Sequence, residues 1–390
     1  VATNDTASGV NGASGATAVV NAFTSDTING VAASAANAVL SVQGGTSVPA
    51  GLTFDTATGN VDVAAGTAAG SYVINYTICE TLNPTNCRNA SMTVEVVAAA
   101  ISADPDVASG VNGATGAAGV ANVLDGDTLN GAPATLGTVD ISVTTPATPI
   151  NGGPVPVLNV ATGLVDVPAG TPAGTYSITY QICEELNPTN CSSNTVSITV
   201  DPSPLTATND TASGVNGATG ATAVADAVTS DTVNGVAAST SNAVLSVQAG
   251  TSVPAGLTFN TATGNVDVAA GTPAGSYVVN YTICETLNPS NCRNASITVE
   301  VVAAAISADP DVASGVNGAT GANGVANVLD GDLLNGVAAT LASVDLSVTV
   351  PATPINGGPV PVLNTATGLV DVPAGTPAGT YSITYQICEE

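Results

Sequence analysis

The sequence contains no histidine, no tryptophan and no lysine, and its only cationic side chains are Arg88 and Arg293. Without histidine, neither a Ser-His-Asp nor a Cys-His catalytic group can be assembled. Without lysine, Schiff-base chemistry and the P-loop cation are lost as well. The two arginines stand against 29 acidic residues, giving a formal net charge of −27. We therefore predict a protein that is not an enzyme and that binds neither nucleic acid nor an anionic membrane surface.

Long hydrophobic runs are also missing, although 44% of the residues are apolar. The longest aliphatic stretches, such as VVAAAI at 96–101, are far too short to cross a bilayer, so membrane insertion is not expected. No signal peptide is visible at Val1, which reads as the start of a repeat. We expect the sequence to be a processed product or a piece of a longer chain.

What the sequence does contain is one unit repeated four times. The tetrapeptide GVNG begins at Gly9, Gly110, Gly214 and Gly315, and two types of unit alternate as A-B-A-B with a period of 205 residues. The predicted domains are type A at 1–100 and 204–305 and type B at 101–203 and 306–390, the last being incomplete at its C-terminus.

Each unit has the pattern of β-strands. In SYVINYTICE at 71–80, alternation places Tyr72, Ile74, Tyr76 and Ile78 on one face and Cys79 on the other. All eight tyrosines lie on strands of this kind, and we assign them to core packing rather than to a ligand platform. Short strands separated by Gly, Pro and Asn turns, with no helical periodicity, indicate a β-sandwich. The predicted fold class is all-β, with four tandem Ig-like sandwiches in a rod-like array.

The motifs also resemble known repeats. The segment VPAGLTFDTATGNVDVAAGTAAGSYVINYTICE at 48–80 is similar to bacterial immunoglobulin-like repeats, in which PAGL.FD..TG precedes AGTY. The segments NDTASG at 4–9 and VANVLDGDTLNG at 120–131 resemble cadherin-like repeats of large secreted bacterial adhesins. The resemblance implies extracellular stalks, adhesins or surface filaments, often with calcium at domain junctions. The cysteine pair in each unit and the lack of lysine depart from that pattern.

The cysteines recur in ICETLNPTNC at 78–87 and in two near-copies. Zinc sites that use histidine are excluded, and the spacing does not match the close cysteine pairs of metal sites. We predict disulfides across the mouths of three hairpins, and hence an oxidising, extracellular or cell-surface location. The predicted pairs are Cys79–Cys87, Cys183–Cys191 and Cys284–Cys292.

Aspartates cluster at two places in each unit. At the unit starts these are Asp5, Asp104, Asp106, Asp210, Asp309 and Asp311, and in the following turn Asp26, Asp125, Asp127, Asp231, Asp330 and Asp332. Carboxylates near a domain junction suit calcium, although six to eight oxygens are needed. Aspartate also favours turns through its own side-chain hydrogen bonds. Calcium ligation and plain turn chemistry both remain open from the sequence.

These observations predict a non-enzymatic extracellular structural protein, forming a surface or matrix filament or an adhesin stalk. The alternative is a ligand-binding adhesin that recognises carbohydrate or a host protein. In the fourth unit Cys388 has no second cysteine, and the final strand of the other units is missing. We expect the chain to continue and to supply the partner cysteine of Cys388, the alternative being a strand from a neighbouring subunit that fills the gap. The expected partners are copies of the protein or further repeats of the same chain.

Overall fold

The computed structural model describes all residues, 1–390, and its regular secondary structure consists only of β-strands. The chain divides into two compact units, Val1–Ser203 and Pro204–Glu390. Each unit contains one type A repeat followed by one type B repeat. No segment forms a helix with the length and apolarity that a membrane crossing requires.

The first unit has nineteen strands. Those of residues 1–100 are Asp5–Asn11, Ala16–Asn21, Thr27–Ile28, Val31–Ala32, Ala38–Val42, Leu52–Phe54, Asn60–Val63, Gly70–Glu80 and Cys87–Val97. Those of residues 101–203 are Ile101–Ser102, Asp106–Asn112, Ala117–Asn122, Thr128–Leu129, Ala132–Pro133, Val139–Thr145, Val157–Asn159, Leu164–Val167, Gly174–Glu184 and Cys191–Asp201.

Two sheets form each complete sandwich. In residues 1–100, the four-stranded sheet runs in the order Asp5–Asn11, Cys87–Val97, Gly70–Glu80 and Ala38–Val42. Its first pair is parallel and the others are antiparallel. The second sheet has the order Ala16–Asn21, Asn60–Val63 and Leu52–Phe54. The antiparallel strands Gly70–Glu80 and Cys87–Val97 are called the long hairpin below, as are their equivalents in the other repeats.

The core lies between the two sheets. Ile74, Tyr76, Met92 and Val94 from the long hairpin are fully buried and cluster with Val61 of the second sheet. Val73, on the opposite face of its strand, is 43% exposed. The predicted alternation along 71–80 is therefore confirmed, and so is the all-β fold of tandem sandwiches.

The second unit repeats this plan in its first half. The strands of residues 204–305 are Leu205–Thr206, Asp210–Asn216, Ala221–Asp226, Thr232–Val233, Val236–Ala237, Ala243–Val247, Leu257–Phe259, Asn265–Val268, Gly275–Glu285 and Cys292–Val302. They form the same four-stranded and three-stranded sheets as residues 1–100, with a buried core of their own.

Residues 306–390 depart from this plan. Their strands are Ile306–Ser307, Ala322–Asn327, Leu333–Leu334, Val337–Ala338, Val344–Val350, Val362–Asn364, Leu369–Val372 and Thr384–Glu389. Instead of a four-stranded sheet there is a two-stranded one, in which Val344–Val350 pairs with Thr384–Glu389. The segment 311–317, which corresponds to the strand Asp106–Asn112, is not a strand. We attribute this to the absence of its partner, because Asp106–Asn112 pairs with the last strand of its repeat.

Candidate functional site

Three disulfides close the tips of the complete long hairpins. Cys79 lies directly opposite Cys87 in the strand pairing, and the two Cα atoms are 4.1 Å apart. The same arrangement joins Cys183 to Cys191 and Cys284 to Cys292. Each bond fixes the end of a hairpin whose inner face carries the buried tyrosines, so the covalent link and the core stabilise the same two strands.

Cys388 occupies the position equivalent to Cys183, beside Asp345, but it is a free and exposed thiol. Its expected disulfide with further chain stays a prediction.

A tyrosine hydroxyl joins the two aspartate clusters inside the first repeat. The Tyr76 hydroxyl lies 2.9 Å from Oδ2 of Asp26 and 3.4 Å from Oδ2 of Asp5. Asp26 also accepts a hydrogen bond of 2.7 Å from the backbone N–H of Thr3. The start of the repeat, the turn at Asp26 and the long hairpin are therefore held at one buried point, which we call the tyrosine–aspartate clamp.

The same clamp recurs in each repeat. In type B, the Tyr180 hydroxyl lies 2.8 Å from the carbonyl oxygen of Asp104, 3.1 Å from Oδ2 of Asp106 and 3.3 Å from Oδ1 of Asp127. The two other clamps consist of Tyr281 with Asp210 and Asp231, and of Tyr385 with Asp311 and Asp332. A tyrosine has one proton to donate, so the two carboxylates of each clamp share a single hydroxyl donor.

The burial of these groups and their closeness to one another change the pKa values of the aspartates and the tyrosine in the clamp. Burial raises the pKa of Asp106 to about 6, and the nearby charge of Asp127 adds to this, although the Tyr180 hydroxyl works in the opposite direction. Burial also raises the pKa of Asp127. The pKa of Tyr180 is raised by burial and by the same two carboxylates, so its hydroxyl stays protonated and remains a donor.

The predicted calcium ligands fall into two groups. The clamp residues Asp5, Asp26, Asp106, Asp127, Asp210, Asp231, Asp311 and Asp332 accept hydrogen bonds from the tyrosines, whereas Asp104, Asp125, Asp309 and Asp330 are exposed. No three carboxylates or thiols surround one point at which they could hold a metal ion. The hydrogen bonds of the Asp26 side chain come from Thr3 and Tyr76, which lie 23 and 50 positions away, so they are tertiary contacts rather than the local bonds of a turn.

Successive repeats within a unit contact each other through asparagines. Between residues 1–100 and 101–203, Nδ2 of Asn11 donates to Oδ1 of Asn130 at 2.6 Å, and Nδ2 of Asn130 donates back at 3.2 Å. Asn130 also binds the backbone of Ala100 in the connecting segment through its own N–H and its Oδ1. Asn216 and Asn335 form the same pair in the second unit. We call this contact the asparagine clasp.

The cysteine loop of residues 101–203 also reaches the preceding repeat. Oδ1 of Asn187 accepts a hydrogen bond of 2.6 Å from the backbone N–H of Ala69. At the base of the loop, Oε2 of Glu184 accepts hydrogen bonds from the N–H of Ala99 and from Nδ2 of Asn190. The loop therefore contacts both the first repeat and the connecting segment.

These contacts were missed by reasoning from the sequence, which treated the asparagines as turn residues. One signal was available. An Asn-Gly pair recurs at Asn29, Asn130, Asn234 and Asn335, and each of these asparagines has a positive φ between 52° and 55°. Asparagine is one of the few residues other than glycine that adopt this conformation, but any turn would give the same signal.

No family model matches the chain, and no curated protein matches it. Among solved structures, the chain is similar to mouse cadherin-23 repeats EC22–24, at 12% identity, with 77% of this chain and 96% of that chain covered and a TM-score of 0.30. It is similar to extracellular cadherin domains 1–4 of protocadherin gamma B7, at 10% identity, with 99% and 100% covered and a TM-score of 0.32. Drosophila N-cadherin EC1–4 matches at 11% identity, with 100% and 95% covered and a TM-score of 0.23. The neighbours are thus cadherin extracellular repeats, and a likeness of this size assigns no activity to the chain.

Proposed function

We propose that this chain is a non-enzymatic extracellular structural protein whose repeats form part of a surface or matrix filament or an adhesin stalk. The observation that carries the proposal is the coupling of neighbouring repeats. Within each unit an asparagine clasp joins one repeat to the next, and the connecting segment is itself hydrogen-bonded to the second repeat. Repeats coupled in this way transmit force and keep a spacing, which is what a stalk requires.

The proposed domains are 1–100, 101–203, 204–305 and 306–390. An extracellular location is supported by the three disulfides, because such bonds persist in oxidising compartments. The partners that we propose are copies of the protein or further repeats of its own kind.

Calcium is the cation that we propose for the type B acid clusters. Asp104 and Asp125 are exposed and lie close enough to raise the pKa of Asp106 by repulsion. A divalent cation with oxygen ligands would relieve that repulsion. What supports the calcium proposal is the density of negative charge in these clusters.

The test is immunogold electron microscopy of cells of the source organism with an antibody against this chain, combined with thiol labelling of the native protein. We expect gold on extracellular material and no labelling at the six cysteines of the three disulfides. Label confined to the cell interior, or free thiols at those cysteines, would contradict the proposal. Selective binding on a glycan array would favour the ligand-binding adhesin instead.

A further inference from the structure

The segment that connects the first two repeats is held by the loop that the Cys183–Cys191 disulfide closes. Glu184 and Asn190 stand at the two ends of this loop, each next to one of the cysteines. The backbone N–H of Ala99 donates to Oε2 of Glu184 at 3.1 Å, and Nδ2 of Asn190 donates to the carbonyl oxygen of Ala99 at 2.7 Å. Both backbone polar groups of Ala99 are therefore bound by side chains that flank the disulfide.

The closed loop also buries polar atoms that have no partner in the protein. Glu184 is 1% exposed and Asn187 is 8% exposed, and neither Oε1 of Glu184 nor Nδ2 of Asn187 makes a hydrogen bond within the chain. A buried carboxylate with one unpartnered oxygen favours an open loop, in which water reaches that oxygen. The covalent bond between the two ends of the loop opposes this tendency, because it restricts the conformations of the open state.

The disulfide lies where a reductant can reach it. Cys183 and Cys191 are partly exposed on the outer face of the long hairpin, opposite to the face that carries the buried Tyr180 and Ile182. A thiolate of a dithiol reductant attacks one cysteine sulfur and forms a mixed disulfide, and its second thiol then closes a cyclic disulfide. Two thiols of the reductant are oxidised, and the protein disulfide is reduced to two thiols.

We infer that the Cys183–Cys191 disulfide is a redox switch for the contact between the first two repeats. When it is formed, it holds Glu184 and Asn190 against Ala99. After reduction the loop opens and releases the connecting segment, while the sandwich stays folded because its core lies on the other face of the hairpin. This inference rests on the proposed function, since it makes the stiffness of a stalk depend on the redox state of its surroundings.

The test measures elastase cleavage of the full chain in the alanine-rich segment 98–100, with mass spectrometry to locate each cut. Cleavage there reports how often the segment is released from the loop. The folded variant Cys183→Ser, Cys191→Ser should be cut about 10-fold faster than the oxidised wild-type chain. Dithiothreitol should accelerate cleavage of the wild-type chain to the same extent and leave the rate of the variant unchanged.

The variant Cys79→Ser, Cys87→Ser is the matched control. It removes the same kind of bond from the long hairpin whose second strand, Cys87–Val97, leads directly into the connecting segment. Its loop has nothing comparable to release, because residues 81–86 are all exposed and Leu82 is 87% exposed. The rate of cleavage at 98–100 in this control should match that of the wild-type chain.

Asn190→Asp tests whether the disulfide acts through the loop, and it keeps the disulfide in place. It removes the donor to the carbonyl oxygen of Ala99 and puts a second carboxylate beside Glu184, so the oxidised variant should be cut about 10-fold faster. Combined with Cys183→Ser, Cys191→Ser, it should add little, because the segment is already released.

Three outcomes would overturn the inference. These are equal cleavage rates for the wild-type chain and the variant without Cys183 and Cys191, the same acceleration in the control without Cys79 and Cys87, and full additivity of Asn190→Asp. None of them bears on the extracellular location, which the microscopy tests separately.

Discussion

The hydroxyl of Tyr180 lies 3.1 Å from Oδ2 of Asp106, a residue 74 positions earlier in the chain. Both side chains are buried, and the same hydroxyl also faces Asp127 and the carbonyl oxygen of Asp104. One donor thus serves three acceptors from two different segments, and it fixes the strand Asp106–Asn112 against the long hairpin. The stability of the sandwich of residues 101–203 should therefore depend on the hydroxyl of Tyr180.

Replacing Tyr180 with phenylalanine tests that dependence. Tyr180→Phe keeps the ring in the core but leaves two buried carboxylates without their shared donor, and the expected cost is about 1–3 kcal/mol. Tyr176→Phe is the matched control, because its hydroxyl bonds only to the carbonyl oxygen of Pro172. Thermal denaturation should show the larger loss for Tyr180→Phe. Equal losses for the two variants would show that the clamp has no special role.

Acidification should stabilise the protein. Burial raises the pKa of Asp106 to about 6, and in the unfolded chain the value returns to about 3.9. The folded state therefore binds more protons than the unfolded state between these values. Stability from this group is complete below pH 3.9 and is lost as the pH rises through 6. The pKa values of Asp5, Asp127, Asp210 and Asp311 are also raised, mainly by burial, and act in the same direction.

Calorimetry at pH 7 and pH 4.5 measures this effect. For Asp106 alone we expect a gain on the order of 2 kcal/mol at the lower pH. Asp106→Asn keeps an acceptor for Tyr180 but does not titrate, so its stability should change less between the two pH values. If the wild-type chain is less stable at pH 4.5, the clamp carboxylates are not protonated as we describe. Asp55 and Glu80, whose pKa values are lowered by side-chain hydrogen bonds, oppose the gain only near and below pH 4.5.

The strands and disulfides could be predicted from the sequence because both depend on local patterns. Alternation at a period of two places Tyr76 in the core regardless of what packs against it. Cys79 and Cys87 flank one loop between two strands, so their pairing needs no knowledge of the rest of the fold. Patterns of this kind are repeated almost unchanged along the chain.

The clamp and the asparagine clasp depend instead on which strand ends meet in space. Asp5 and Tyr76 are 71 positions apart, and Asn11 and Asn130 are 119 apart and lie in different repeats. From the sequence, these aspartates and asparagines could only be interpreted as turn residues or cation ligands. Both roles favour the same residue types, so the sequence does not distinguish them. The hydrogen bonds between these distant residues become visible only in the folded chain, where Asp5 meets Tyr76 and Asn11 meets Asn130.

Removing the asparagine clasp should loosen the contact between the first two repeats. Asn130 has a φ of 52°, so Asn130→Gly deletes the amide and keeps the backbone conformation. We expect faster elastase cleavage in the alanine-rich segment 98–100 and little change in melting temperature. Asn151→Gly is the control, because Asn151 has a φ of 50° in an exposed loop away from the clasp. Identical cleavage rates in the two variants would mean that the clasp does not hold the repeats together.

Calcium binding has a direct test in the exposed acids of the type B repeats. If the proposal is correct, calcium at millimolar concentration should raise the melting temperature relative to EGTA, since it binds the folded state. The double variant Asp104→Asn, Asp125→Asn should reduce that shift without disturbing the clamp. The same shift with magnesium, or with the variant, would indicate non-specific screening of the charge of −27.

Trypsin provides a test of the disulfide-closed hairpins. Its only target sites follow Arg88 and Arg293, each of which is the residue after a disulfide cysteine at the start of a long strand. Cleavage requires these strand ends to open, and each disulfide holds its end closed at a contribution of about 2–3 kcal/mol. The oxidised chain should therefore resist trypsin, and reduction should release fragments 1–88, 89–293 and 294–390.

The second repeat supplies the control for this experiment, because Ser192 stands where the type A repeats have arginine. The variant Cys183→Ser, Cys191→Ser should melt at a lower temperature and yet remain uncut by trypsin without reductant. This outcome would separate the local opening of a hairpin from a general loss of stability. Rapid cleavage of the oxidised wild-type chain after Arg88 would show that the hairpin end opens in spite of its disulfide.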